Sequence, residues 1–138
     1  MKALHLLCLA VAAWTAPVHA ESERALTEAS APFSLPALPY PATALAPAID
    51  QQTMDIHHGR HHKAYVDNLN KAVSASPQLQ ALSLRELRAV SDKAGPTLRN
   101  NAGGHYNRSL FWSLLAPPGQ GGAPSEALLT AINKDFGS

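Results

Sequence analysis

MDIHHGRHHKAYV, residues 54–66, packs four of the chain's seven histidines into six positions, as two adjacent pairs. No proline falls between Ala48 and Ser76, and Pro47 stands just ahead. The spacing therefore predicts one long helix, from Ala48 or Thr53 to about Val73. At about 100° per residue, His57, His58, His61, His62 and Tyr65 share a sector roughly 140° wide. Met54, Leu69 and Ala72 lie inside that sector and Val73 at its margin, while Arg60, Lys63, Asp67 and Lys71 lie opposite. The pattern predicts a helix that buries its histidines and solvates its charges. Buried imidazoles need partners. Hydrogen bonds inside a helical core satisfy them, and so does a metal ion, for which helix-borne His pairs at i and i+4 are a recurrent scaffold. The spacing alone leaves both readings open.

A second long helix is predicted from Thr97 to Leu115, after the turn at Lys93-Ala94-Gly95-Pro96 and before Pro117-Pro118. Leu98, Asn101, Gly104, His105, Arg108, Phe111, Trp112 and Leu115 share one face of it, and Arg99, Tyr106, Leu110 and Ser113 lie opposite. Gly103-Gly104 inside a helix costs about 1 kcal/mol each against Ala, which close approach by another helix would explain. Between the long helices, Pro77 closes the connection, and Ser83-Leu84-Arg85-Glu86 reads as a capping box opening a short helix to about Val90. Ser125 caps a last helical stretch over SEALLTAINKDF. Phe33 to Pro47 is Pro-dense and must be extended, and its interleaved Phe33, Leu35, Leu38 and Tyr40 predict packing across the domain surface. There is no internal repeat, no strand-like alternation of useful length and no Gly-rich phosphate loop.

The chain opens as a secretory leader over residues 1–20: Lys2, an apolar run from Leu4 to Ala16, then Val18-His19-Ala20 as a small-residue cleavage site. The apolar run is too short for a membrane span. Cys8, the one cysteine, lies within the leader, so the exported chain would carry no disulfide. Removing the leader takes Lys2 with it and leaves ten basic residues against ten acidic. Such a balance offers no general attraction for nucleic acid or membrane, while the leader points to a periplasmic or secreted location. Residues 21–32 are small, polar and without apolar periodicity, and read as a disordered tether. Residues 33–138 form one domain.

Four segments together carry a resemblance: LPALPY at 35–40, QQTMDIHHGRHHKAYV at 51–66, LRNNAGGHYNRSLFW at 98–112 and DFGS at 135–138. With them the chain resembles the N-terminal half of an iron/manganese superoxide dismutase. The resemblance implies an all-α fold, a long antiparallel α-helical hairpin, with the family's α/β C-terminal domain absent from these residues. It implies a Mn or Fe ion held by three His and one Asp, turning two superoxide and two protons into O₂ and H₂O₂, and a homodimer in the full-length form. Gly103-Gly104 is similar to manganese-type members, since iron-type members usually carry Gln at the position of Gly104. Carried over by position, His57 is the first metal ligand, His61 and Tyr65 line the substrate gateway and its hydrogen-bond network, and Phe111 and Trp112 form an aromatic wall. His58, His62 and His105 match positions with packing roles.

Two departures limit what the resemblance implies. The second family ligand is the His of NHSLFW, and here Arg108 stands in its place. A guanidinium has no lone pair to give and brings a permanent charge to a cation site. The other two ligands belong to a D-x-W-E-H segment, which these 138 residues do not contain. The expectation is a dismutase by family whose present residues have little or no activity alone. Two alternatives accompany it: a non-catalytic family member serving as partner or scaffold, and a periplasmic His-cluster protein using His57, His58, His61 and His62 for zinc, copper or nickel. Without a covering domain, the faces of Tyr65 and Trp112 would also be partly exposed, favouring self-association.

Overall fold

The computed structural model describes residues 18–137, and most of the expected leader lies outside them. In chain order the elements are α1 (Val18–Glu28), α2 (Gln51–Ile56), a π-helical turn (His57–His62), α3 (Lys63–Ser74), α4 (Pro77–Gln80), α5 (Leu84–Ala94), α6 (Pro96–Leu114) and α7 (Glu126–Phe136). Among the described residues the only β pairing is an isolated bridge between Ser30 and Ser83. The fold is the expected all-α hairpin: α2, the π turn and α3 form one continuous rod, and α6 packs back along it.

Local sequence explains where each helix starts. Asp50 caps α2 by accepting from the Thr53 backbone N–H at 2.8 Å. Ser83 and Glu86 form the expected capping box on α5, and Ser125 caps α7. Gly95 takes φ +95°, a conformation that favours glycine, and lets Pro96 open α6 directly after α5.

The π turn was not expected, and it changes which residues face inward. The Lys63 N–H reaches back to the His58 carbonyl, an i to i−5 bond that spends one extra residue inside the rod. In an uninterrupted α-helix Val66 would lie about 40° outside the histidine sector; it is instead buried, with Met54, Leu69 and Val73. Counting one residue back after the π turn puts those four apolar residues within roughly 60° of each other, a single stripe. The same shift swings His61 outward. The expectation that the helix buries its histidines is therefore corrected: His62 is fully buried, His58 half-buried, and His57 and His61 are exposed.

One apolar cluster joins Val66, Leu69 and Val73 of α3 to Leu84 and Leu87 of α5 and Leu98 and Ala102 of α6, with Phe33 laid across it. A smaller one gathers Leu45, Met54 and Trp112. Phe33 to Tyr40 packs across the domain as expected, but residues 42–48 are turns rather than extended chain, closed by the Ala44 N–H on the Pro41 carbonyl at 2.9 Å and the Ile49 N–H on the Leu45 carbonyl at 2.9 Å. The Asn70 amide clamps Phe33 from both sides, accepting from its N–H at 2.7 Å and donating to its carbonyl at 2.8 Å. Tyr40 donates its hydroxyl to the Trp112 carbonyl at 2.9 Å.

Residues 21–32 are not the expected tether throughout. They enter α1, which packs on α5 and α6. Tyr106 donates to Glu23 at 2.8 Å, and Arg85 pairs with Glu28 at 3.0 Å. Glu21, Glu23, Arg24, Ala25 and Leu26 are good helix formers, and Leu26 packs against the core. A helix needs only one such docking face, which a search for full periodicity overlooks.

The two glycines of α6 behave differently. A Cβ on Gly104 would lie 2.5–2.7 Å from the Tyr65 ring, whereas one on Gly103 would meet nothing within 4 Å. Gly103→Ala should therefore be neutral or stabilise by up to about 1 kcal/mol through helix propensity. Gly104→Ala should cost about 1–3 kcal/mol as an overpacked contact. Urea unfolding of both variants checks this, and Tyr65→Ala should recover most of the Gly104→Ala loss.

Candidate metal centre and its surroundings

Four of the residues singled out from sequence come together. His57, Arg108, Phe111 and Trp112 line one cavity of about 270 Å³, with Ala48, Ile49, Asp50, Thr53 and Met54 completing it. The rod supplies Thr53, Met54 and His57, α6 supplies Arg108, Phe111 and Trp112, and the turn before α2 supplies Ala48, Ile49 and Asp50. Phe111 and Trp112 stack edge to face, ring centroids 5.1 Å apart, with Phe111 exposed and Trp112 buried. His61 and Tyr65 lie outside this cavity lining. His61 sits beside His57, their rings 5.1 Å apart. Tyr65 is half-buried over Gly104, and the Arg108 guanidinium carbon lies 5.6 Å from its ring centroid. That distance is within cation–π range. The aromatic face and partial exposure let Arg108 avoid the cost of several kcal/mol expected for a charge isolated mid-face.

Beside the cavity lies a buried polar chain. The Trp112 indole can only donate, and it donates to His62 Nδ1 at 3.1 Å. His62 therefore carries its proton on Nε2 and donates to His105 Nδ1 at 2.9 Å. Ser109 donates to the His105 carbonyl at 2.9 Å. Burial, aided by the charges of His105, His58 and Arg108, holds His62 down to about 3. Burial alone holds His105 down to about 4. Both rings are neutral at neutral pH. His58 donates to the Pro36 carbonyl at 2.8 Å. The four histidines of the opening stretch thus do not converge: His58 and His62 have hydrogen-bond partners, and only His57 and His61 are exposed. Asp50, Ser109 and the direct His62–His105 bond were not read from sequence as parts of this region, although the D-x-x-T spacing of Asp50 and Thr53 carries an N-cap signal.

Comparison with known proteins agrees with this geometry. The alpha-hairpin domain of iron/manganese superoxide dismutases matches residues 32–116. The chain is 52% identical over 120 residues to superoxide dismutase [Mn] 3 of Leptolyngbya boryana, covering 84% of this chain and 49% of that protein. It is 50% identical over 110 residues to the superoxide dismutase [Mn] of Acinetobacter baylyi, covering 80% and 48%. With that of Thermus aquaticus it shares 50% over 112 residues, covering 77% and 53%. The chain belongs to the iron/manganese superoxide dismutase family and spans about half the length of these relatives. The family works with Mn or Fe, but the residues present do not fit such an ion. Among the described residues no group of three or more His, Cys, Asp or Glu side chains could hold a metal. In the cavity itself Arg108 offers no lone pair, and Asp50 is engaged with Thr53.

The buried pair makes stability depend on pH. Both folded-state values lie below the ordinary 6.5, so the unfolded chain binds more protons as pH falls. Their contribution is complete above pH 6.5 and declines from there towards about 4, by up to about 1.4 kcal/mol per pH unit for each ring. Urea midpoints measured from pH 7 to pH 4.5 should fall accordingly, and His105→Gln should remove about half of the slope.

Proposed function

We propose that this chain supplies the α-hairpin half of an exported superoxide dismutase of the Mn/Fe family, and that its own residues leave the metal centre incomplete and impaired. The observation that carries this reading is the shared cavity: His57 and Arg108, at the two ligand positions of the hairpin, face one space walled by Phe111 and Trp112. Superoxide is the substrate in this proposal, with His57 the metal ligand and His61 and Tyr65 at the approach to the site. Manganese is favoured over iron by Gly103-Gly104 and by the manganese-type names of the relatives. Location outside the cytoplasm rests on the leader over 1–20. A second reading, a family member retained as a partner or scaffold, is favoured by Arg108 alone, since a fixed cation opposes a metal ion.

Metal content and superoxide consumption, measured on chain produced with excess Mn or Fe, test the proposal. The expected result is no turnover above that of the free metal. Arg108→His should raise metal retention by restoring a second imidazole beside His57. Turnover by the unaltered chain above the free-metal rate would sink the incomplete-centre reading. Self-association belongs to the same proposal, though not through Trp112, which is buried rather than partly exposed: Phe111 and Leu114 on α6 and Leu128, Leu129 and Phe136 on α7 are exposed apolar side chains with reason to find a partner. Sedimentation should show dimers or larger species, and a monodisperse monomer would contradict it.

A further inference from the structure

We propose that the cavity between the rod and α6 is an anion site in this chain, in which Arg108 takes a small carboxylate whose apolar body packs against Ile49, Met54, Phe111 and Trp112. The inference does not rest on the dismutase reading. It starts from the disagreement between the cavity and the metal its family uses.

Three observations carry it. First, the cavity is a real concavity of about 270 Å³, just below the range that holds drug-sized ligands, so its occupant is small. Second, five of its nine lining residues are apolar, and Arg108 is the one permanent cation among the other four. Arg108 is half-buried there and belongs to none of the ion pairs among the described residues, which are Lys63–Asp67 and Arg85–Glu28. A guanidinium presents parallel N–H donors matched to the two oxygens of a carboxylate, an interaction that a lysine or a metal-ligating imidazole does not reproduce. Third, the acidic residue in the lining is already committed: the Asp50 carboxylate accepts from the Thr53 backbone N–H at 2.8 Å and hydroxyl at 2.9 Å. Those two bonds hold it at the start of α2 and keep its charge on the helix cap. An incoming carboxylate therefore meets one cation outside any ion pair, shares the lining with the ionised, capped Asp50, and can take a ring N–H from His57. Replacing a ligand imidazole by arginine removes a metal donor and in the same step creates an anion receptor.

Trp112 lines the cavity and is the one tryptophan outside residues 1–20, so it reports binding directly. The full chain carrying Trp14→Phe, labelled with ¹⁵N, would be titrated with cyclohexanecarboxylate while the Trp112 indole N–H signal is followed. Cyclohexanecarboxamide, the neutral isostere, is the control. The expected result is a saturable shift with a Kd in the millimolar range, about the scale a ligand this small reaches. The amide should give no such shift, and Arg108→Gln should weaken binding at least about tenfold, the cost of a lost charge-assisted pair. Arg108→Lys should fall between the two, because it keeps the charge and loses the fork. Helical circular dichroism of each variant separates lost binding from lost fold. No saturable shift in the Trp14→Phe chain, equal response to the amide, or unchanged affinity in a folded Arg108→Gln variant would each overturn the proposal.

Discussion

The hairpin depends on one buried imidazole. His62 has no exposed surface, and both of its ring nitrogens are used: one accepts from Trp112 and the other donates to His105. All three partners sit in an interior where a lost hydrogen bond costs the full desolvation of the group left behind. The rod and α6 therefore have one acceptable register. A slip by one residue would leave an indole N–H and two imidazoles without partners. Apolar contacts alone would not fix the register so sharply, because Leu, Val and Met tolerate small shifts.

Placing His62 inward has a structural cost, which the π turn absorbs. Without the extra residue between His57 and His62, Val66 would fall outside the face that Met54, Leu69 and Val73 share. With it, Met54, His62, Val66, Leu69 and Val73 are all buried, while His61 is carried to the surface. Tyr65 is left at the margin, where its ring fills the space above Gly104. The glycine answers this side chain rather than a neighbouring backbone. Register, helix defect and the small residue on α6 are thus one connected solution.

Much of this was legible in the chain. The prolines bracketed both long helices to within a few residues, Ser83 and Glu86 announced their capping box, and Phe33, Leu35, Leu38 and Tyr40 among the prolines marked a packed segment. The grouping of His57, Arg108, Phe111 and Trp112 also followed from the motifs. The π turn did not, because a 3.6-residue period assumes its own continuity, and every facing drawn through residues 57–62 inherited that assumption. For the same reason His61 was placed inward and Val66 was left out of the buried face. Helix α1 escaped notice because its apolar face is little more than Leu26, and docking on α5 and α6 rather than periodicity stabilises it. The His62–His105 bond spans 43 positions, and only the three-dimensional pairing of the helices brings its ends together.

The residues that hold the hairpin are not those that the family resemblance assigns to metal binding. Met54, His62, Leu69, Leu98, His105 and Trp112 are buried and mutually satisfied, whereas His57 is exposed and Arg108 is half-buried at the cavity wall. Of these, Met54 and Trp112 belong to both the interior and the cavity, and the structural bonds of Trp112 run to His62 and Tyr40. The ligand positions are therefore ones where the fold tolerates exchange. An arginine can enter at 108 because its charge rests against the Tyr65 face near solvent, without displacing any member of the buried chain. A hairpin held by this buried chain can keep its family signature while the side chain at position 108 is a fixed cation, where the resemblance implies a lone-pair donor. The register of the hairpin thus follows from what His62 organises, while position 108 lies outside that buried chain.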